Sequence, residues 1–128
     1  MYKVTKCLYF EAAHFLRGYE GACQNLHGHS YKLEITFGAK NLDELGMVID
    51  FKRIKEYAED TLKEYDHTCL NHLGGYETVN PTAERLAKVI FERMRAKLAR
   101  DDAVENHVRV LSVKVWETRD SYAEYTEE

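Results

Sequence analysis

The residues of this sequence that could carry out chemistry are concentrated around a pair of histidines. His27 and His29 are separated by one glycine, and apolar side chains follow them at odd-numbered positions: Tyr31, Leu33, Ile35 and Phe37. Alternate side chains of a β-strand lie on the same face of its sheet, so both imidazoles are expected on one apolar face. Two imidazoles placed in this way are close enough to bind one metal ion.

A third histidine, His14, ends a segment that begins at Tyr2 and has apolar residues at every second position, with few exceptions. If this segment pairs with the one that contains His27 and His29, three imidazoles converge on one point. Three protein ligands with an open fourth position are typical of a catalytic zinc site, although imidazole also suits iron and nickel. A lone histidine on an apolar face is usually a hydrogen-bonded core residue, whereas three together favour a metal site.

Cys23 precedes His27 by four residues and has two alternative roles beside such a site. A thiolate near a metal ion and a histidine could remove a proton from a substrate, whereas direct binding of the sulfur would close the fourth metal position. The residues alone leave both roles open. Cys7, on a strand, and Cys69, expected in a loop, complete an odd set of three cysteines without a CxxC pair, which favours free thiols.

Two further places carry groups that could act in catalysis or binding. Asp66 and His67 directly follow a predicted helix. Either the two residues form a proton relay, or His67 simply interacts with the dipole at the C-terminal end of that helix. Glu117 continues the odd-numbered apolar positions of a late strand. Its carboxylate either accepts two adjacent N–H groups of a ligand or lies where the strand reaches solvent.

The elements that position these groups follow from hydrophobic spacing. Apolar residues at intervals of three and four predict a helix over 51–65 with Asp50 as its N-cap. A second helix is expected to begin at Asn80 with Pro81 in its first position. Two strands follow, over 111–115 and 121–125. The order of two strands, two helices and two strands predicts an α+β fold with an antiparallel sheet.

Length and charge narrow the classes of protein that remain. The 128 residues are expected to form a single domain, 1–128. The net charge of −4, from 18 basic and 22 acidic side chains, provides no excess of positive charge that would favour binding to nucleic acid or to an anionic membrane surface. Charges interrupt the N-terminal apolar residues and no run approaches a membrane span, so a cytoplasmic protein is expected. Open sheet edges predict self-association.

Six short motifs in a fixed order resemble the 6-pyruvoyl-tetrahydropterin synthase superfamily, and within it the bacterial 6-carboxytetrahydropterin synthases of queuosine biosynthesis. They are FEAAH at 10–14, the run 23–31 with its HGH triplet, GMVIDF at 46–51, DH with LN over 66–71, NPTAE at 80–84 and WET at 116–118. The resemblance covers nearly the whole chain. Three residues separate Cys23 from His27, which is the spacing of the carboxy-forming enzymes; the pyruvoyl-forming enzymes typically have two more.

The resemblance implies a role for each candidate residue: zinc ligands His14, His27 and His29, catalytic thiol Cys23, relay partners Asp66 and His67, and pterin anchor Glu117. It implies the tunnelling fold, or T-fold, in an oligomeric barrel that is usually a homohexamer of two stacked trimers, with the relay pair able to serve a neighbour's zinc. The implied reaction converts 7,8-dihydroneopterin triphosphate to 6-carboxy-5,6,7,8-tetrahydropterin and releases acetaldehyde and triphosphate.

Two alternative functions remain at this point. One is a 6-pyruvoyl-tetrahydropterin synthase on the same scaffold, which would differ in its product. The other is a non-catalytic zinc- or pterin-binding module in which Cys23 closes the metal site. For the triphosphate, charge alone suggests Arg17, Lys52 and Lys55.

Overall fold

The computed structural model of the chain describes residues 1–105 and 107–127. Its main elements are β1 (Tyr2–His14), β2 (His27–Ala39), α1 (Phe51–Tyr65), β3 (Thr68–Cys69), α2 (Ala83–Ala99), β4 (Arg109–Thr118) and β5 (Ser121–Tyr125). Short 3₁₀ turns lie at Ala22–Gln24 and Leu70–His72. The five strands form one sheet in the order β3-β1-β2-β4-β5. The predicted α+β class and the order of the long elements are therefore confirmed.

The long hairpin of β1 and β2 sets the register of the whole sheet. These strands pair antiparallel along their full length, from Tyr2 opposite Ala39 to His14 opposite His27. β2 also pairs antiparallel with β4, and β4 with β5. The odd-numbered apolar face predicted for β2 is confirmed, because four of its side chains are fully buried: Tyr31, Leu33, Ile35 and Phe37.

Both helices pack on this buried face of the sheet. Ile54 of α1 and Ile90 of α2 are fully buried in the same apolar cluster as the inward side chains of β1, β2 and β4. Asp50 is the N-cap of α1, as predicted, and its carboxylate accepts a hydrogen bond from the backbone N–H of Lys52 at 2.9 Å. No helix within the described residues is both long and apolar enough to cross a membrane.

The predicted start of the second helix is wrong. α2 begins at Ala83, and Thr82 is its N-cap, with a hydroxyl that accepts a hydrogen bond from the N–H of Arg85 at 3.3 Å. A threonine hydroxyl can satisfy a free amide of the first helical turn, which neither Asn80 nor Pro81 does here. Pro81 lies outside the helix, where its carbonyl oxygen is free to serve another partner.

The sheet also differs from the prediction at one edge. β3 pairs with β1 in parallel, Ala12 opposite Thr68 and Ala13 opposite Cys69, so the sheet is mostly rather than entirely antiparallel. Cys69, expected in a loop, is part of this strand. Two residues are too few to show an alternating pattern, which explains why the sequence gives no signal for β3.

Candidate metal centre

Three imidazoles meet where β1 ends and β2 begins. His14 and His27 are directly opposite each other in the ladder, and His29 is opposite Ala12, two residues back along β1. The ring centroids of the three histidines are 4.6 to 5.0 Å apart. One nitrogen atom from each ring lies within 4.8 Å of the others, so the three side chains could hold one metal ion. Strand pairing therefore brings all three predicted ligands together.

Backbone carbonyl groups determine the tautomers of two of these rings. Nδ1 of His14 lies 2.9 Å from the carbonyl oxygen of Pro81, and Nδ1 of His27 lies 2.8 Å from that of Asn25. A carbonyl oxygen only accepts hydrogen bonds, so both Nδ1 atoms donate and each neutral ring keeps its lone pair on Nε2. This is the arrangement usual in metal-binding histidines, and the chemistry of the group fits a metal ion.

Glu117 lies beside His29 at the edge of the histidine cluster. Its Oε2 atom is 3.9 Å from Nε2 of His29, and its side chain is 31% exposed. Trp116 pairs with Tyr122 and Thr118 with Ser121, so Glu117 lies in a register shift of the β4–β5 ladder, a feature that often redirects a side chain. It borders a groove of about 440 Å³ between β5 and the start of α2.

Burial lowers the pKa of His29, and the neighbouring rings of His14 and His27 act in the same direction. The carboxylate of Glu117 opposes this shift without reversing it. A lowered pKa favours the neutral imidazole, which is the form that binds metals.

Cys23 lies in the 3₁₀ turn Ala22–Gln24 and is half-buried. Among the described residues, its sulfur does not belong to the group of ligand atoms that the three histidines form. The thiol is therefore placed in the loop that leads into β2, four residues before His27. Cys7 and Cys69 are also free thiols.

Asp66 and His67 lie at the opposite side of β1 from the histidines. Oδ1 of Asp66 accepts a hydrogen bond from the backbone N–H of Glu11 at 2.8 Å and lies 3.0 Å from Nδ1 of His67. The hydrogen bond from Glu11, assisted by the imidazole of His67, holds the pKa of Asp66 below its usual value. His67 is 77% exposed and borders an outer cleft with Glu11 and Ser30, which alternate with the histidine-bearing positions. Asp66 and His67 therefore contact each other, and His29 is the one residue of the histidine cluster that lines the same cleft among the described residues.

His67 adopts a positive φ of 60°, which is uncommon for a residue other than glycine. Its backbone N–H donates to the carbonyl oxygen of Glu11, so β1 fixes both ends of this short turn. The position of the Asp66–His67 pair is therefore tied both to the sheet and to the last turn of α1, where the N–H of Asp66 donates to the carbonyl oxygen of Leu62 at 2.8 Å.

Several residues near the site are ones that sequence reasoning did not single out. The carbonyl of Pro81 and the side chains of Asn71 and Asn80 all contact the chain at or just after His14. The contact made by a backbone carbonyl group leaves no pattern in the sequence. The nearest clue to the two asparagines was that Asn71 and Asn80 each lie in one of the six motifs. Of the basic residues suggested for a triphosphate, Arg17 donates to the carbonyl oxygen of Tyr76 at 3.0 Å.

The fold and the histidine cluster together define a class of protein: an α+β protein whose mostly antiparallel sheet carries three imidazoles that could hold a metal ion at the end of its longest hairpin. The family model described as 6-pyruvoyl tetrahydropterin synthase matches residues 3–128, and this chain belongs to that family.

Curated bacterial relatives are similar over almost the full length. The chain is 38% identical to the 6-carboxy-5,6,7,8-tetrahydropterin synthase of Synechocystis, covering 98% of this chain and 93% of the relative. It is 36% identical to the enzyme of the same name from Rickettsia bellii, covering 97% and 99%. The family and these relatives confirm the prediction that the protein is an enzyme of the lyase class.

Solved structures confirm the T-fold. The 6-pyruvoyl tetrahydropterin synthase of Caenorhabditis elegans superposes with a TM-score of 0.82 at 24% identity, covering 99% of this chain and 96% of that one. The corresponding enzyme of Plasmodium vivax gives a TM-score of 0.70 at 17% identity, covering 99% of both chains. At these identities the likeness concerns the fold alone.

Proposed function

We propose that this protein is a zinc-dependent 6-carboxy-5,6,7,8-tetrahydropterin synthase of queuosine biosynthesis, acting in the cytoplasm as a single domain, 1–128. Its substrate is 7,8-dihydroneopterin triphosphate, and the products are 6-carboxy-5,6,7,8-tetrahydropterin, acetaldehyde and triphosphate. The observation that carries the proposal is the convergence of His14, His27 and His29 within 4.8 Å. The bacterial relatives with this printed activity support the choice of reaction.

The three histidines would hold the zinc through neutral imidazoles. The hydrogen bonds from His14 and His27 to backbone carbonyls support this role, because they leave Nε2 of each ring available. A zinc ion bound there would polarise oxygen atoms of the substrate side chain and make the adjacent hydrogens more acidic.

Glu117 would orient the pterin ring relative to the histidines. A carboxylate accepts two adjacent N–H groups of an amino-pyrimidine edge in a bidentate contact. The register shift at Glu117 and its distance of 3.9 Å from His29 support this role, since a ring held there would extend its side chain toward the metal site.

Cys23 and His67 would move protons between the side-chain carbons and the ring. Cys23 acts as a thiolate from the loop beside the histidines, and Asp66 holds Nδ1 of His67 so that Nε2 faces the substrate. The position of His67 on the outer side of β1 suggests that it serves the site of another subunit. A homohexamer formed as a dimer of trimers would provide that contact.

The test is product analysis after zinc-loaded protein is mixed with 7,8-dihydroneopterin triphosphate. Acetaldehyde together with a 6-carboxypterin, identified by mass spectrometry, is the expected result. Release of triphosphate with a retained pyruvoyl side chain would instead assign the pyruvoyl-forming reaction. Binding of the pterin without any turnover would assign the non-catalytic module.

A further inference from the structure

The chain that follows His14 is held by side chains on one side and by the loop that contains Cys23 on the other. Phe15 donates its backbone N–H to Oδ1 of Asn71 at 2.9 Å, and its carbonyl oxygen accepts from Nδ2 of Asn71 at 2.9 Å. Arg17 makes the same pair of bonds with Asn80, at 2.8 Å and 3.0 Å. Each asparagine therefore satisfies both backbone groups of one residue.

Between these two clamps, the chain binds the Cys23 loop directly. The N–H of Leu16 donates to the carbonyl oxygen of Cys23 at 2.9 Å. In an extended chain the backbone polar groups of adjacent residues point to opposite edges and those of alternate residues to the same edge, so clamps at Phe15 and Arg17 aim the N–H of Leu16 away from the asparagines. The clamps thereby fix the backbone bond by which Leu16 reaches the residue that carries the thiol.

The loop between Arg17 and Cys23 needs this support. Gly18 and Gly21 have φ angles of 77° and 139°, values that favour glycine and allow the chain to reverse. Because glycines give the loop a large conformational entropy in the absence of restraints, the hydrogen bonds at its two ends limit the movement of the thiol.

We propose that Asn71 and Asn80 are positioning residues that hold the thiol of Cys23 beside the histidine site. Asn71 is 2% exposed and lies in the turn after β3, whereas Asn80 is half-buried and directly precedes Pro81, the partner of His14. The segment between α1 and α2 thus fastens both the ligand His14 and the loop of Cys23. The inference rests on the proposed function only for the catalytic use of that thiol.

The experiment compares Asn71→Asp and Asn80→Asp with the control Asn41→Asp. Asparagine and aspartate have the same shape, but the carboxylate has no N–H to donate and instead turns an acceptor toward a backbone carbonyl. Asn41 is exposed and lies just beyond the far end of β2, so its substitution makes the same charge change away from the loop. The readouts are the rate of alkylation of Cys23 by iodoacetamide, resolved by peptide mass spectrometry, and kcat and KM for the pterin.

We expect alkylation of Cys23 to accelerate about tenfold in both loop variants, the factor that loss of one hydrogen bond can produce. Alkylation of Cys7 and Cys69 should stay at the wild-type rate, as should all three rates in the control. kcat should fall by a similar factor with a smaller change in KM, because the proposed pterin anchor, Glu117, lies elsewhere.

Equal alkylation rates and equal kcat in the loop variants and the control would overturn the proposal. If a charge at the buried position 71 prevents folding, the half-buried Asn80→Asp variant decides the question. If wild-type protein does not turn over the pterin, the proposed function fails, and the alkylation rate of Cys23 still tests the positioning by itself.

Discussion

Among single residues, those that orient the imidazoles matter as much as the imidazoles themselves. His14 and His27 each donate from Nδ1 to a main-chain carbonyl, that of Pro81 and that of Asn25. His29 makes a hydrogen bond with the backbone of Glu117, and burial lowers the pKa of its imidazole. The three rings therefore already lie together before any ion binds.

The first residue-scale prediction concerns Cys23→Ala. We expect this variant to keep its zinc and to lose turnover by about a hundredfold or more, the contribution typical of a general acid or base. The reason is that the sulfur lies outside the ligand group of the three histidines. The measurement is metal content by elemental analysis together with acetaldehyde release, and Cys7→Ala on β1 is the control. A variant that lost its zinc would make Cys23 a fourth ligand.

The second residue-scale prediction concerns Glu117→Gln. Glutamine keeps the shape of the side chain but replaces one carboxylate oxygen by an NH₂ donor and carries no charge, so it cannot offer one oxygen to each of two adjacent N–H groups of the pterin. We expect KM to rise about tenfold or more, with unchanged metal content. Glu84→Gln, which borders the same groove, is the matched control. An unchanged KM in Glu117→Gln, or an equal rise in the control, would remove the anchor role.

Residues whose role depends on alternation or on adjacency could be predicted from the sequence. The histidines at 27 and 29 share a face because strands have a period of two, and His14 joins them because the hairpin pairs in register. The clamps of Asn71 and Asn80 could not be predicted in this way. They act on backbone atoms that are 56 and 63 residues away in the chain, and no local pattern records such a contact.

At the scale of elements, strong hydrophobic periodicity identified the long strands and both helices. The residues at which they begin and end depend instead on local hydrogen bonds, such as helix caps. The prediction placed Pro81 in the first turn of α2, a common position for proline. Thr82 caps that helix instead, and the carbonyl of Pro81 serves His14. β3 escaped prediction because its pairing with β1 depends on the turn at His67, whose conformation the sequence does not reveal.

The hydrogen bonds between α1 and Asp101, which follows the end of α2, provide an element-scale prediction. Asp101 accepts hydrogen bonds from Tyr57 at 2.7 Å and from Arg53 at 2.6 Å. The hydroxyl of Tyr57, followed by the guanidinium of Arg53, holds the pKa of Asp101 below its ordinary value. A carboxyl with a lowered pKa in the folded state stabilises the protein above its unfolded pKa, and this contribution disappears as the pH falls through the lowered value.

Asp101→Asn should therefore lower the urea midpoint at pH 7, and its difference from the wild type should shrink as the pH falls below the ordinary carboxyl pKa. Asp102→Asn, a change in the exposed neighbour, is the control. A difference between Asp101→Asn and the wild type that stayed constant down to low pH would show that ionisation of Asp101 does not contribute.

At the scale of the whole molecule, the proposed machinery draws on both sides of the sheet. The three histidines belong to strands whose inward face carries the helices, whereas His67 borders an outer cleft that Glu11, Ser30 and His29 also line. The proposal that His67 serves a neighbour's site predicts two copies of the chain at each substrate. Sequence alone suggested such an assembly through the resemblance and the open sheet edges.

Mixed subunits test this arrangement. His27→Ala should lack the metal and His67→Ala should lack the relay, so each variant alone is expected to be inactive. Co-expressed, they should regain activity, because some sites combine an intact histidine cluster with an intact His67 from a neighbour. A mixture of His27→Ala with His29→Ala is the control and should stay inactive. Mixed oligomers, verified by native mass spectrometry, that show no activity would contradict a shared site.

The central claim is that His14, His27 and His29 form a metal site, and metal content tests it most directly. Purified protein, stripped by a chelator and reloaded with zinc, is analysed for zinc bound per chain, beside His27→Ala and the control His72→Ala, an exposed histidine outside the cluster. We predict about one zinc per chain in the wild type and in His72→Ala, and none in His27→Ala, because two imidazoles cannot retain the ion. A folded His27→Ala protein that binds zinc as the wild type does would contradict the account.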